Sequence, residues 1–373
     1  MITAIQAIFQ TKCFHCYHEI AQTKLGLCRS CLNEIHFITY SQPVRLQKFT
    51  KNIFYHEVLM SNYPLFDYPP YETELASKIV DVVLHENLDI LHVHYAIPHA
   101  SAAFMAQKIL KSKGLNIPYI TTLHGTDITL VGKSPSFEPV ISFCINSSSY
   151  VTAVSESLKK DTLSHFEVKK EVLVIPNFVI KSEDLKTINR KDYAADNQKI
   201  LCHVSNFRPV KRIEDVIKIF SIVSKTIDSK LILVGDGPER YKAESLCREM
   251  NLCDKIIFIG KVPDTAQFLK ISDLFLLPSQ TESFGLAALE AMVEGVPVIS
   301  SNSGGLPEVN LDNVTGFTSE VSDISKMAQD ALKLLENKSL WQKMSNACQK
   351  RADLFSLKNI LEKYENLYVS AKK

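Results

Sequence analysis

Asp-x-Asp occurs nowhere in this chain of 373 residues. That removes one familiar way of holding a divalent cation against a nucleotide diphosphate, in which carboxylates and phosphates share the metal. His-Glu-x-x-His is absent too, so the motif that places two zinc-binding imidazoles on one helical face is missing. No apolar stretch approaches the roughly 18 residues that a membrane-spanning helix needs. The opening MITAIQAIF is apolar but has neither a charged lead-in nor a small-residue cleavage site, so a signal peptide is not expected. There is no long run of either charge, and the formal net charge is +1. A concentrated basic face, the footprint of nucleic-acid binding, is therefore not expected. No internal repeat or low-complexity tract is present.

What remains is the composition of a soluble globular enzyme, 46% hydrophobic and 22% charged. The length allows about two domains. Cysteines number nine, and five of them (Cys144, Cys202, Cys247, Cys253, Cys348) stand singly in expected core elements. Such a pattern fits reduced thiols in a cytoplasmic protein. The other four lie within 19 residues as Cys13-x2-Cys16 and Cys28-x2-Cys31, with His15 and His18 nearby. Two readings stand for them. One is a zinc ribbon, although the 11 intervening residues fall short of the usual 15–20. The other is that residues 1–33 are not the native start of the domain, through a reading-frame disruption upstream of Glu34, where regular patterning sets in abruptly.

From Glu34 onward, short apolar runs alternate with helical periodicity. Ile35–Tyr40, Ile90–Val93, Tyr119–Leu123, Tyr150–Ala153 and Val172–Ile175 read as strands, separated by helix-like stretches such as Ser77–Glu86, His99–Lys113 and Ser155–Phe166. A second series follows: Ile200–Val204, Leu231–Val234, Ile256–Ile259, Leu274–Leu277 and Val296–Ile299. Among its helices, Arg212–Val223 repeats Ile213, Val216, Ile217 and Phe220 at i, i+3, i+4, i+7. Alternation of this kind implies α/β architecture with parallel sheets covered on both faces. Two series imply two doubly wound, Rossmann-like domains facing a cleft, with ligands at the carboxyl ends of the strands. The expected division is 1–180, with 1–33 atypical; 181–355, entered through the polar stretch Lys181–Gln198; and a last helix in 356–373 that packs back on the first domain.

The strand-end loops carry the chemistry. In TESFGLAALEAM, Glu282 and Glu290 are eight positions apart, the first on a loop and the second one to two turns inside a helix. The amides of Phe284, Gly285 and Leu286 then lie at the helix N-terminus, where an anion binds well. SNFRPVKR sets Arg208 and Lys211 at the end of the first strand of the second series. Cations at a helix start oppose the macrodipole, and a bound phosphate accounts for them. VGDGPE offers Gly235 and Gly237 for close backbone approach, and SNSGGLPEV offers Gly304 and Gly305, where a plain turn is an equal alternative. In the first series HVHYAIPHA and TTLHGTDIT bring His94, Tyr95, His99, His124 and Asp127 to the ends of two strands, and His124 before Gly125 suits hydrogen bonding to a sugar.

With the Glu-x7-Glu pair, the Arg–Lys loop and the glycine turn in this order, the chain resembles the retaining GT-B glycosyltransferases from Glu34 to its end. EIHFITYSQPVRL, NYPLFDYPPYE, LHVHYAIPHA, TTLHGTDIT and SNFRPVKR resemble the branch that opens bacillithiol biosynthesis. The resemblance implies transfer of N-acetylglucosamine from UDP-N-acetylglucosamine to the hydroxyl of L-malate, with retention, no metal and no other cofactor. It implies that Glu290 holds the ribose and Glu282 the donor sugar. Arg208 and Lys211 would neutralise the diphosphate with help from the Phe284, Gly285 and Leu286 amides and Gly237. His124 would contact the sugar near its O6, with Tyr95 and Thr122 on the acceptor; Arg45 is a candidate cation for malate. The implied setting is cytoplasmic, with no nucleic acid or membrane span and with a homo-oligomer left open. The family's N-terminal Gly-Gly-Ser-Gly loop is absent here, replaced by the cysteine-rich segment. Three readings follow: transfer to malate, transfer to a sugar or lipid-linked acceptor, or a chain that binds nucleotide-sugar but is impaired in catalysis.

Overall fold

The structure is a computed structural model, which describes residues 34–41, 53–60, 70–130, 132, 134–180 and 188–372. The paired cysteines Cys13, Cys16, Cys28 and Cys31, and Arg45, lie outside the described residues. The chain forms two compact units, one running to Pro176 and including the last helix, the other spanning Asn177–Ser356.

In the first unit, strands β1 (Ile35–Thr39) and β2 (Ile53–Glu57) pair in parallel. After helix α1 (Tyr71–Glu86) come β3 (Leu91–His94), α2 (Ser101–Ser112), β4 (Tyr119–Leu123), α3 (Glu138–Ser147), β5 (Tyr150–Ala153), α4 (Glu156–His165) and β6 (Val172–Val174). Strands β3 to β6 form a parallel sheet in chain order. Their side chains are mostly buried on both faces, as expected of strands covered by helices. Ser155 starts α4 by accepting a hydrogen bond from the Leu158 N–H.

The second unit has six parallel strands. They are β7 (Lys199–Ser205), β8 (Ser229–Gly235), β9 (Ile256–Gly260), β10 (Leu274–Leu277), β11 (Val298–Ser301) and β12 (Gly316–Ser319). The helices are α5 (Ile213–Val223), α6 (Arg240–Glu249), α7 (Ala266–Lys270), α8 (Leu286–Val293), α9 (Leu306–Val309), α10 (Ile324–Glu336) and α11 (Lys338–Asp353). The apolar stripe of α5, including Ile213, Val216, Ile217 and Phe220, is buried against Leu201, Leu231 and Leu233 of the sheet. Strand order is β12-β11-β10-β7-β8-β9. The chain thus winds outward from β7 in one direction through β9, then returns beside β7 and winds outward the other way. A crevice opens where the order reverses, between the loops that leave β7 and β10. Those two loops carry SNFRPVKR and TESFG.

The final helix α12 (Leu357–Ala371) belongs to the first unit, where Ile360, Leu367 and Tyr368 pack with Ile90, Ile120 and Ile175. Cys144, Cys202, Cys247, Cys253 and Cys348 are all free thiols. No helix among the described residues is long and apolar enough to cross a membrane.

Candidate active site

At the reversal point of the second sheet, two loops distant in sequence are fastened together. The Gln280 N–H donates to the Val210 carbonyl at 2.8 Å. Beside that tie, Lys211 Nζ lies 2.6 Å from Glu282 Oε1, and the Ser279 hydroxyl donates to the same oxygen at 2.8 Å. The lysine and glutamate side chains are 21% and 12% exposed, shielded enough for the charges to attract strongly and open enough to meet a ligand.

Helix α8 begins immediately after this pair. Gly285 is its N-cap, at φ +98°, and no side chain caps the helix start. Its first amides therefore lack an intrahelical acceptor and carry the positive end of the dipole. Phe284 anchors the turn, buried with its ring edge-on to Phe355 at 5.6 Å, while Leu286 is exposed. Glu290 lies one turn further along α8, half-buried, and accepts a hydrogen bond from the Thr265 hydroxyl at 3.3 Å. Arg208 is half-buried at the entry to a single 3-10 turn, Pro209–Lys211.

The glycines serve this assembly from behind. A Cβ on Gly304, whose φ is +63°, would stand 2.1 Å from the Glu282 carbonyl, and the Gly305 N–H donates to that carbonyl at 2.8 Å. A Cβ on Gly237 would stand 2.0 Å from the Asn206 carbonyl. The close approach at Gly237 is thus to the SNF backbone, and the room left by its missing side chain is filled by protein.

The first unit gathers imidazoles. His94 Nδ1 lies 2.7 Å from His124 Nε2, and the ring of Tyr95 sits 5.1 Å from that of His124. His99 donates from Nδ1 to the His94 carbonyl. Asp127 accepts from the N–H groups of Ala96 (2.7 Å) and Gly125 (3.1 Å), which joins the loops after β3 and β4. Tyr95 has φ +79°, a strained conformation for an aromatic residue and of the kind that gathers at functional sites. His94 Nε2 is buried without a hydrogen-bond partner. An unpaired lone pair there costs less than an unpaired N–H, so the shared proton belongs on His94 Nδ1 and the His124 proton on Nδ1. Thr122 is fully buried, and its hydroxyl is engaged by His92 Nε2 and Thr152 at 2.7 Å each. Its hydroxyl thereby links the His92 imidazole of β3 to Thr152 of β5.

Burial drives all of these imidazoles toward the neutral form. It pushes His92 down to about 3 and His99 and His124 to about 4, and it holds His94 well below its ordinary value. Between pH 6.5 and about 4 an unfolded chain therefore binds protons that the folded chain refuses, and stability falls as pH falls. Burial raises the Asp127 carboxyl to about 6, which acts in the opposite sense, one group against four. The thermal midpoint of the first unit is expected to drop steadily from pH 7 to pH 5. Each imidazole adds a slope of up to about 1.4 kcal/mol per pH unit. Calorimetric scans at half-unit steps check this, and a flat midpoint over that range contradicts it.

Comparison with known proteins places this geometry. Residues 186–352 match the family model described as glycosyl transferases group 1, and residues 31–182 match that of glycosyltransferase family 4. Over 341 residues the chain is 42% identical to N-acetyl-alpha-D-glucosaminyl L-malate synthase of Bacillus anthracis, covering 90% of this chain and 89% of that protein. The chain belongs to the GT-B glycosyltransferases.

Solved structures share the fold at lower identity. Sucrose-phosphate synthase from Thermosynechococcus elongatus aligns with TM-score 0.70 at 20% identity, over 90% of this chain and 88% of that one. Anabaena HepE in complex with UDP-glucose aligns with TM-score 0.68 at 19% identity, over 86% of each chain.

Several residues of this glycosyltransferase have no signature in the sequence. His203 in β7 is buried, and its Nδ1–H donates to the Leu276 carbonyl of β10 at 2.8 Å. That fixes Nε2 as an acceptor, which takes the Ser205 hydroxyl proton at 2.8 Å. The Ser205 oxygen accepts in turn from the Phe207 N–H at 3.2 Å. Phe207 is held at φ +40° with its side chain fully buried, so this relay helps set the course of the Arg208–Lys211 turn. A histidine inside an apolar strand (KILCHVS) was the only trace of it. Thr265 is in the same position: nothing before the fold linked it to Glu290.

Proposed function

We propose that the chain is a retaining glycosyltransferase that moves N-acetylglucosamine from UDP-N-acetylglucosamine to the hydroxyl of L-malate. The observation that carries this reading is the Lys211–Glu282 pair, set beside the uncapped start of α8 at the reversal point of the sheet. In it, Arg208, Lys211 and the Phe284–Leu286 amides neutralise the departing diphosphate, the task a metal performs elsewhere. The chain's lack of Asp-x-Asp fits a metal-independent reaction. Glu290 accepts from the ribose hydroxyls, and Glu282 holds the donor sugar through the oxygen not bonded to Ser279 and Lys211. His124, neutral and protonated on Nδ1, donates to the sugar near O6. Tyr95 contacts the acceptor.

The 42% identity to the Bacillus anthracis N-acetyl-alpha-D-glucosaminyl L-malate synthase supports malate as acceptor. Retention fits same-face attack assisted by the leaving phosphate, for which the cations above supply the electrostatics. One observation favours a second reading, a chain that binds donor but is impaired in transfer: residues 1–33 contain no Gly-Gly-Ser-Gly.

Release of UDP from UDP-N-acetylglucosamine, measured with L-malate, glycerol and a glycan acceptor in parallel, tests the proposal. Malate-dependent release with an α-linked product is expected. Release only with the glycan overturns the acceptor, and binding of UDP without release to any acceptor selects the second reading.

A further inference from the structure

The imidazoles of His36 and His56 and the carboxylate of Glu86 stand together away from the loops described above. Strands β1 and β2 pair with His36 opposite Phe54 and Ile38 opposite His56. Both histidines therefore project from one face, one diagonal step apart. His36 Nδ1 and His56 Nε2 approach to 2.8 Å, with ring planes 15° apart. Helix α1 delivers Glu86 as its last residue. One ligand atom from each of the three lies within 4.8 Å of the others.

We propose that His36, His56 and Glu86 form a binding site for a divalent transition metal of the zinc class. Two imidazole nitrogens and a carboxylate oxygen are the donor set that such borderline ions prefer over magnesium or calcium. Tetrahedral ligands about 2.0–2.1 Å from zinc stand about 3.3 Å from each other, so the two nitrogens need to part by only about half an ångström. A carboxylate oxygen of Glu34 lies 3.6 Å from His36 Nε2, the edge of the ring turned away from His56. That is where a carboxylate behind the ring orients a ligating histidine. The ring of Phe54 stacks on His36 at 4.7 Å and restrains it further. Glu86 ends its helix at the negative pole of the dipole, an unfavourable place for an acid that a bound cation relieves. The metal joins two strands and a helix, and the three side chains leave its fourth tetrahedral position to water.

Cobalt(II) titration of the purified full-length chain, freed of metal, is the test. Cys13, Cys16, Cys28 and Cys31 bind cobalt as well if they form a thiolate site. The titration is therefore run in parallel on a variant with all four changed to serine. The proposal expects one equivalent of cobalt in that variant, with visible ligand-field absorption and no thiolate charge-transfer band. Glu86→Gln and His56→Ala should each weaken it at least tenfold, with far-ultraviolet dichroism unchanged. Glu86 is exposed, so its replacement keeps the test valid even where the histidine variant fails to fold. No nitrogen–oxygen cobalt spectrum in the four-serine variant overturns the site. So does a spectrum and affinity that survive Glu86→Gln.

Discussion

Lys211→Ala is expected to lower turnover at saturating donor by about 10²- to 10³-fold while the chain remains folded, the scale on which single preorganised groups at developing charge act. The reacting bond breaks toward a diphosphate, and negative charge grows on its oxygens as the sugar departs. Lys211 is placed by a backbone tie between two loops and by its 2.6 Å contact with Glu282, so little rearrangement precedes reaction. Truncating it also strips the Glu282 carboxylate of the Lys211 charge while the Ser279 hydroxyl stays on it, at a cost of about 1–3 kcal/mol. The large core around α5 and β7 absorbs that loss. A fall in kcat with KM steady assigns the lysine to the transition state. A rise in KM alone assigns it to ground-state binding, and unchanged values of both contradict its proposed role. A double-mutant cycle with Glu282→Gln then measures how far each residue acts through the other.

Glu290→Gln is expected to weaken UDP and UDP-sugar binding by about 10- to 100-fold, the range set by one to two charge-assisted hydrogen bonds. Its carboxylate is held by α8 and by the Thr265 hydroxyl, so it is oriented before the ligand arrives. The ribose lies away from the bond that breaks, so the interaction is the same in ground and transition states. The loss should fall on KM, with kcat at saturating donor nearly unchanged. Thr265→Val, which removes the orienting hydroxyl, should show a smaller shift in the same direction. Equal donor affinity in Glu290→Gln and the unaltered chain removes the ribose assignment.

The fold was legible wherever apolar periodicity ran unopposed. Tyr119–Leu123, Tyr150–Ala153 and Leu274–Leu277 were read to the residue because each is a short, largely buried run entered from a polar or proline residue. β2 was missed because IFYHE mixes polar and aromatic residues with little clean alternation, and β12 because GFTS offers one strong apolar side chain. α1 starts six residues before the expected Ser77. Its first turn is polar, but Glu72 and Glu74 there favour the positive end of the dipole. The predicted strand at Val296 begins at Val298, since Pro297 has no N–H to give to the ladder.

The candidate site was legible in its parts and hidden in its pairings. Spacing placed Glu282 on a loop and Glu290 inside a helix, and the structure has them so. Nothing local joined Lys211 to Glu282, 71 positions away, because that contact arises from strand order. The burial of Thr122 was equally hidden, because strand alternation marks a face of the sheet but does not separate the rim from the interior.

The proposed function requires the second unit to hold UDP with Lys211, Arg208 and the α8 amides at the diphosphate and Glu290 at the ribose. Calorimetric titration of UDP into the full chain, run beside Glu290→Gln and without added metal, tests it most directly. One site per chain is expected, saturable without divalent cation and weakened about 10- to 100-fold by the substitution. No heat of binding in the unaltered chain, or the same affinity in both proteins, would contradict it.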